Sequence, residues 1–448
     1  MAMWRQIGQS RWVLHPTQVL ALGFLGVILL GTLALTLPIA TVDNHGLHWL
    51  DALFTATSAV CVTGLVVVDT GSVLTRFGQV IVLVLIQIGG LGFMSLAAMI
   101  AVLLGKRITI NERVILKEAL NHLSLQGIVQ LVRYIVFLTL GIELVGALVL
   151  AWSFGQHMPF GEALFNGVFH AVSAFNNAGF DLFTTSLITY NTNLVVMTCV
   201  MLLLTIGGMG VLVWLNIINH GWQVAKWSLH TKIVMLTSAL LLVIGSLLVF
   251  VFEYRALAFA DFTLGEKILN SIFQSATSRT AGFFSVNMTA LTTATIMLMV
   301  VLMFIGASPG STGGGIKTTT FALAVLTVSN VLRGRNEIHV GYRTVTAPLL
   351  LKSFAVIVVA ISWVVVATLI LTITESAPFL WLLFEVVSAF ATVGLSLGVT
   401  PELSDIGKFV ITTTMYIGRV GPLTLFSALM LRSSVPRYRY AEEQVLIG

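Results

Sequence analysis

The sequence predicts an all-α polytopic membrane protein of eight spans laid out as four tandem repeats. Three observations predict it: very little charge, an uneven placement of that charge, and a short phrase that occurs four times. Of 448 residues, 57% are hydrophobic and only 9% charged, where a soluble domain carries about 25% charged residues. The polar stretches that remain are too short to hold a separate soluble domain.

Charge placement predicts the topology. The segments 1–18, 105–133, 220–232, 333–352 and 432–448 hold sixteen Lys/Arg against five Asp/Glu, while the opposite connections hold five against twelve. This is the positive-inside asymmetry, and it puts both termini in the cytoplasm. The net charge of +5 therefore belongs to loops flanking a lipid bilayer, and no nucleic-acid partner is expected. The opening MAMWRQIGQSRWVLHPTQ lacks a cleavage site after a short apolar region, so no removable signal is expected. Cys61 and Cys199 lie far apart in apolar surroundings, which argues against a disulfide framework or a zinc site.

The repeated phrase reads LFTATSAVCVTGL (53–65), VFHAVSAFNNAGF (168–180), IFQSATSRTAGFF (272–284) and LFEVVSAFATVGL (383–395). A phenylalanine precedes a glycine by ten residues in three copies: Phe54 to Gly64, Phe169 to Gly179 and Phe384 to Gly394. The third copy, Phe273 to Gly282, is one residue shorter. A second phrase follows: IGGLG (88–92), IGGMG (206–210), IGASPG (305–310) and IGRVG (417–421). The steps from first to second glycine are 25, 28, 24 and 24 residues. A single IGG would mean little, because close helix packing explains most membrane glycines. The same two features in the same order, four times, define an internal repeat.

Each copy sits between two apolar runs. The first lie near 19–38, 128–152, 233–252 and 353–373; the second near 77–104, 193–219, 289–332 and 407–431. A run of about 20 residues crosses a bilayer. The intervening segment, such as 50–63, is too short to cross and return as a helix, and reads as a re-entrant half-helix followed by extended chain. The unit is a helix–pore-helix–helix repeat, and four of them give eight transmembrane spans and four re-entrant loops around one central ion pore. The expected boundaries are 15–105, 125–220, 228–333 and 347–432, with a cytoplasmic tail at 433–448.

Four loops around one axis bring four backbone segments together. They are Val62-Thr63-Gly64, Asn177-Ala178-Gly179, Thr280-Ala281-Gly282 and Thr392-Val393-Gly394. A ring of carbonyl oxygens replaces the hydration shell of a small cation, and glycine allows positive φ and close approach at the tip. The half-helices point their C-terminal ends, which are partially negative, at the ring. No ring of four Lys or Arg stands there to serve an anion. Arg279 stands alone and is expected to hold the third loop through carbonyl contacts.

One stretch interrupts the third repeat at membrane depth: FIGASPGSTGGGIKTTTF (304–321), with Pro309 and five glycines. Non-helical backbone survives there only against protein or a water-filled cavity. Its GSTGGGIKT superficially suggests a phosphate loop, but Ile316 stands where the lysine is required and no strand precedes it.

These four loops with the interrupted third repeat resemble the potassium-translocating subunits of the Trk/Ktr/HKT superfamily. The eight-span length is closer to the KtrB-type members than to the longer TrkH type, and the resemblance covers roughly 15–432. It implies a bacterial plasma-membrane protein for potassium uptake, with potassium held in the four-loop filter and sodium as a second candidate ion, either coupled or activating. Gly64 stands where sodium-selective members carry serine, which favours potassium. The alternative within the superfamily is a sodium or less selective monovalent cation transporter.

The resemblance further makes 306–317 an intramembrane gate loop, formed by Gly306, Ser308, Pro309, Gly310, Ser311, Gly313, Gly314, Gly315 and Lys317. Arg419 pairs with its carbonyls. The alternatives are a fixed broken helix for the loop, and an Arg419 tied only to Glu143 or a helix end. Lys317 is expected to face the inner vestibule.

A homodimer and a KtrA-like cytosolic nucleotide-binding regulatory ring are implied partners, with the basic loops 106–117 and 333–343 as the surface for the ring. The tail VPRYRYAEEQVLIG is expected to tuck into a neighbouring subunit. An intramembrane enzyme is not expected: no HExxH, no GxSxG and no paired intramembrane carboxylates occur, and Glu143 is the lone acid inside a span. An organic-solute symporter would call for inverted repeats, whereas these four share one orientation.

Overall fold

The computed structural model describes residues 15–104, 108–119, 127–334, 338–340 and 343–421. It is helical nearly throughout, with one two-stranded antiparallel hairpin, β1 (Ile338–Val340) and β2 (Arg343–Val345), among the described residues. Residues 1–14, with the expected absence of a signal, lie outside the described residues, as do 106–107, 335–337, 341–342 and the tail. The tail's docking and part of each basic loop fall there too.

In repeat one, α1 (Pro16–Leu35) leads to the half-helix α2 (Trp49–Cys61) and then to α3 (Arg76–Leu91) and α4 (Phe93–Leu103). After α5 (Ile110–Ala119), repeat two gives α6 (Ile128–Phe154), half-helix α7 (Phe160–Phe175), α8 (Leu194–Gly208) and α9 (Val211–His220). Repeat three gives α10 (Leu229–Glu253), half-helix α11 (Leu264–Thr277), α12 (Thr293–Phe304) and α13 (Thr318–Leu332). Repeat four gives α14 (Ala347–Thr374), half-helix α15 (Phe379–Phe390) and α16 (Asp405–Val420).

The first helix of every repeat is long and apolar enough to cross a membrane by itself. Each is apolar all round, as lipid-facing helices are. Along α10, Val234, Gly245 and Val249 are buried while Leu236, Leu240, Val243, Leu247 and Val251 remain exposed. The half-helices form the interior instead. Phe54, Phe169, Phe273 and Phe384, the repeated phenylalanines, are all fully buried.

The second spans of repeats one and two are not single straight helices. They bend by 93° and 96° between α3 and α4 and between α8 and α9. The bends fall at Gly92 (φ 77°) and Gly210 (φ 87°), and α16 likewise ends at Gly421 (φ 91°). A left-handed φ is strained for any residue with a Cβ and easy for glycine. In repeats one, two and four the last glycine of the phrase thus ends a helix. Where each second span begins, one side chain caps it: Thr75, Asn193, Thr292 and Ser404 accept from backbone N–H groups of α3, α8, α12 and α16.

Candidate ion-conduction site

The four tips meet in one ring, in chain order. A Cβ added at Gly64 would meet the Ala178 carbonyl oxygen and Gly179 Cα; one at Gly179 would meet Gly282 Cα. One at Gly282 would meet the Val393 carbonyl oxygen, and one at Gly394 the Thr63 carbonyl oxygen and Gly64 Cα. The ring closes on itself, and all four glycines have left-handed φ, at 90°, 68°, 81° and 95°. Two residues earlier, Val62, Asn177, Thr280 and Thr392 also have positive φ, from 51° to 77°. The same uncommon backbone thus recurs four times at one place, and such outliers collect at functional sites.

The N–H groups of these segments are held from behind by the half-helices. Thr63, Ala178 and Val393 donate to the carbonyls of Ser58 (2.8 Å), Ser173 (2.7 Å) and Ser388 (2.8 Å), and Ala281 donates to that of Thr277 (3.0 Å). The hydroxyls of the same four residues add a second tie. Ser58 and Ser388 accept from Gly64 and Gly394 N–H, while Ser173 and Thr277 donate to the carbonyls of Phe180 and Phe283. The sequence reading did not single out these four hydroxyls. Their signal lay in the repeated phrase: a Ser or Thr six residues before the glycine, five in the shorter third copy.

The second phrase packs beneath. A Cβ on Gly89, Gly207 or Gly418 would collide with the carbonyl oxygen of Val60, Phe175 or Phe390, in the last turn of the local half-helix. The third repeat breaks the pattern. Gly306 instead abuts the carbonyl of Gly314, because the interrupted stretch folds back between its span and the ring.

That stretch lies against the ring. A Cβ on Gly313 would meet the Thr280 side chain, and one on Gly314 that of Thr392. Thr312 Oγ1 donates to Asn177 Oδ1 (3.1 Å), and Asn177 Nδ2 to Thr280 Oγ1 (3.4 Å). Ser308 N–H donates to the Gly208 carbonyl (3.1 Å) and Val211 N–H to that of Gly310 (3.1 Å), tying the stretch to the α8–α9 bend. Pro309 lies there too, its carbonyl against Gly210. Ser311 Oγ caps the Ser308 carbonyl (2.6 Å), and Gly315 (φ 69°) packs on Gly306.

Two cations hold it. Arg419 donates from Nη1 to the Thr312 carbonyl and from Nη2 to the Gly89 carbonyl. Lys317 Nζ donates to the Gly313 carbonyl at 2.6 Å, turning back onto its own loop. Glu143 is no partner of Arg419: its carboxyl accepts from Gln87 (3.1 Å) and Asn176 (2.8 Å). Arg279 points away from the axis, to the carbonyl (3.1 Å) and hydroxyl (3.0 Å) of Ser238 on α10.

Helix–pore-helix–helix units repeated four times about one axis define a multi-pass membrane transport protein, not an enzyme. Its family is equally definite: residues 8–437 match the TrkH cation transport protein model, and the chain belongs to that family. It is 42% identical over 444 residues to the Ktr system potassium uptake protein B of Bacillus subtilis, covering 98% of each chain. It is 38% identical over 441 residues to the potassium/sodium uptake protein NtpJ of Enterococcus hirae, covering 97% of this chain and 98% of the other. The crystal structure of the potassium transporter TrkH from Vibrio parahaemolyticus superposes with a TM-score of 0.74 at 19% identity, over 96% of this chain and 86% of that one. That likeness concerns the fold.

Proposed function

We propose that the protein mediates potassium uptake across the bacterial plasma membrane, through a filter lined by the carbonyls of 62–64, 177–179, 280–282 and 392–394. The observation that carries this reading is the ring of four glycines with left-handed φ in mutual contact. The N–H groups of Thr63, Ala178, Ala281 and Val393 are engaged from behind, which leaves carbonyl oxygens for the axis, where they would replace the water shell of a potassium ion. The names of the Bacillus and Enterococcus relatives support potassium as cargo.

In this reading residues 306–317 are the gate, and Arg419 and Lys317 hold it under the filter. Regulation falls to a KtrA-like cytosolic nucleotide-binding ring, with the transporter a homodimer whose termini face the cytoplasm; the Ktr system name of the Bacillus relative supports the existence of a further component. Sodium enters as a second reading, on two observations: the second segment presents Asn177 where the others carry Thr or Val, and the Enterococcus relative is named for both ions. Uptake of radioactive rubidium in cells without other potassium uptake, competed by potassium and by sodium, tests the whole. Saturable rubidium uptake blocked by potassium well below the blocking concentration of sodium is expected. Its absence from well-expressed protein overturns the reading.

A further inference from the structure

Behind the ring of filter segments lies a second ring. The residue following each repeated phenylalanine is Thr55, His170, Gln274 or Glu385, nine residues before the filter glycine and eight in the shorter third copy. All four are buried, none more than 1% exposed. Each has a polar atom with no hydrogen bond of good geometry: Thr55 Oγ1, His170 Nε2, Gln274 Oε1 and Glu385 Oε2. An apolar side chain would fill the same space without leaving a buried polar atom unsatisfied. Four polar residues in one register, each under-satisfied, therefore call for a reason other than packing.

Their contacts supply one. Three of the four touch the chain that leaves the filter toward the outside. His170 stacks on Phe183 at 4.6 Å between ring centres, with its Nδ1 bonded to the Asn166 carbonyl (2.7 Å). Gln274 Nε2 reaches Ser285 Oγ at 3.4 Å. Glu385 accepts from Thr400 Oγ1, which also reaches Ser396 Oγ (3.3 Å), and Ser396 and the Leu397 backbone lie beside the same carboxyl. Glu385 is thus engaged by several groups of the 396–400 exit, more than any other member of this ring.

We propose that these four residues form a positioning ring that sets the outer half of the filter, with Glu385 its dominant member and a determinant of cation discrimination. The inference rests on the filter reading above. Carbonyl spacing selects an ion only if the backbone is kept from relaxing around the wrong one, and a hydrogen-bonded carboxyl holds its partner segment more firmly than a neutral contact.

The test uses the full chain, with rubidium uptake competed by sodium. Glu385→Ala is expected to lose about tenfold in preference over sodium, the size of one hydrogen bond to a carboxyl, while still transporting. Glu385→Gln, which keeps an acceptor for Thr400, is expected to retain most of it. Thr400→Val should reproduce part of the alanine defect, and the double variant should be no worse than Glu385→Ala alone, since the alanine already removes the Thr400 contact. A merely structural residue would lower transport of both ions together and leave the ratio unchanged. Should Glu385→Ala fold poorly, Thr400→Val alone decides: an unchanged ratio overturns the proposal. Gly64→Ser separates the two levels. If it shifts the ratio while Glu385→Ala and Thr400→Val do not, the positioning ring fails alone; if none of them does, the filter reading falls as well.

Discussion

The guanidinium of Arg419, in the second span of repeat four, donates to the carbonyl of Thr312 in the interrupted stretch of repeat three. One residue on, Lys317 takes the Gly313 carbonyl. Two cations therefore grip two successive carbonyls of a loop that lies against the ring of four glycines. A charge at membrane depth is costly unless it is paired with oxygens, so these contacts satisfy the cations as much as they restrain the loop.

Arg419→Ala is expected to raise the rate of potassium uptake at low external concentration and leave the potassium-to-sodium ratio as it was. Removal also strips a donor from the Gly89 and Thr312 carbonyls, at a cost of about 1–3 kcal/mol in stability. Thermal unfolding in detergent should therefore be measured beside the flux. A well-folded variant that transports no faster means the contact is structural.

Deleting Gly313 to Gly315 should act in the same direction. These glycines touch Thr280, Thr392 and Ala391 with no room for a Cβ, so a shorter loop would withdraw from the ring. Faster uptake with unchanged ion preference is the expected result. Equal or slower flux from a folded deletion variant identifies a fixed break in the helix.

Gly64→Ser should lower the preference for potassium over sodium. Its φ of 90° disfavours any L side chain, and the new Cβ would press on Ala178 and Gly179. Competition of rubidium uptake by the two ions reads the effect directly, and an unchanged ratio counts against Gly64 as a filter residue.

Gly207→Ala and Gly418→Ala should destabilise the fold by about 1–3 kcal/mol, the usual cost of overpacking, because each Cβ would overlap a half-helix carbonyl. Gly141→Ala on α6 is the control, with nothing within 4 Å of the new methyl. Lower unfolding midpoints for the first two alone are expected, and equal midpoints for all three would sink the packing argument.

The isolated chain should not bind ATP at 310–318, since Ile316 occupies the lysine position of the phosphate-loop pattern and the Lys317 ammonium is committed to Gly313. Equilibrium dialysis with labelled ATP checks this, and saturable binding without a partner would contradict it.

Much of this was legible before any coordinates. The span count and the tip glycines were readable because membrane burial and carbonyl rings each impose a period on the sequence. The hydroxyls behind the glycine ring were equally periodic, at Ser58, Ser173, Thr277 and Ser388, yet Ser and Thr are common in membrane helices and carry no signal until their partner is known. The right-angle bends at Gly92 and Gly210 were not foreseen, because a glycine in an apolar run reads equally as packing or as breaking. Only φ distinguishes the two. The turn of Lys317 onto Gly313 was hidden for another reason: a four-carbon stem reaches many places, and the loop's own fold selects among them.

The closing contact of Gly394 on Gly64 makes a four-walled pore out of a single gene product. In a pore assembled from four copies of one subunit, every substitution enters four times and each corner must remain identical. Here a substitution enters once. Each wall drifts under its own selection, so one corner can carry an asparagine and another a threonine while the opening keeps its outline. Ion preference can then be retuned in quarter steps, a finer adjustment than a symmetric homotetramer can make.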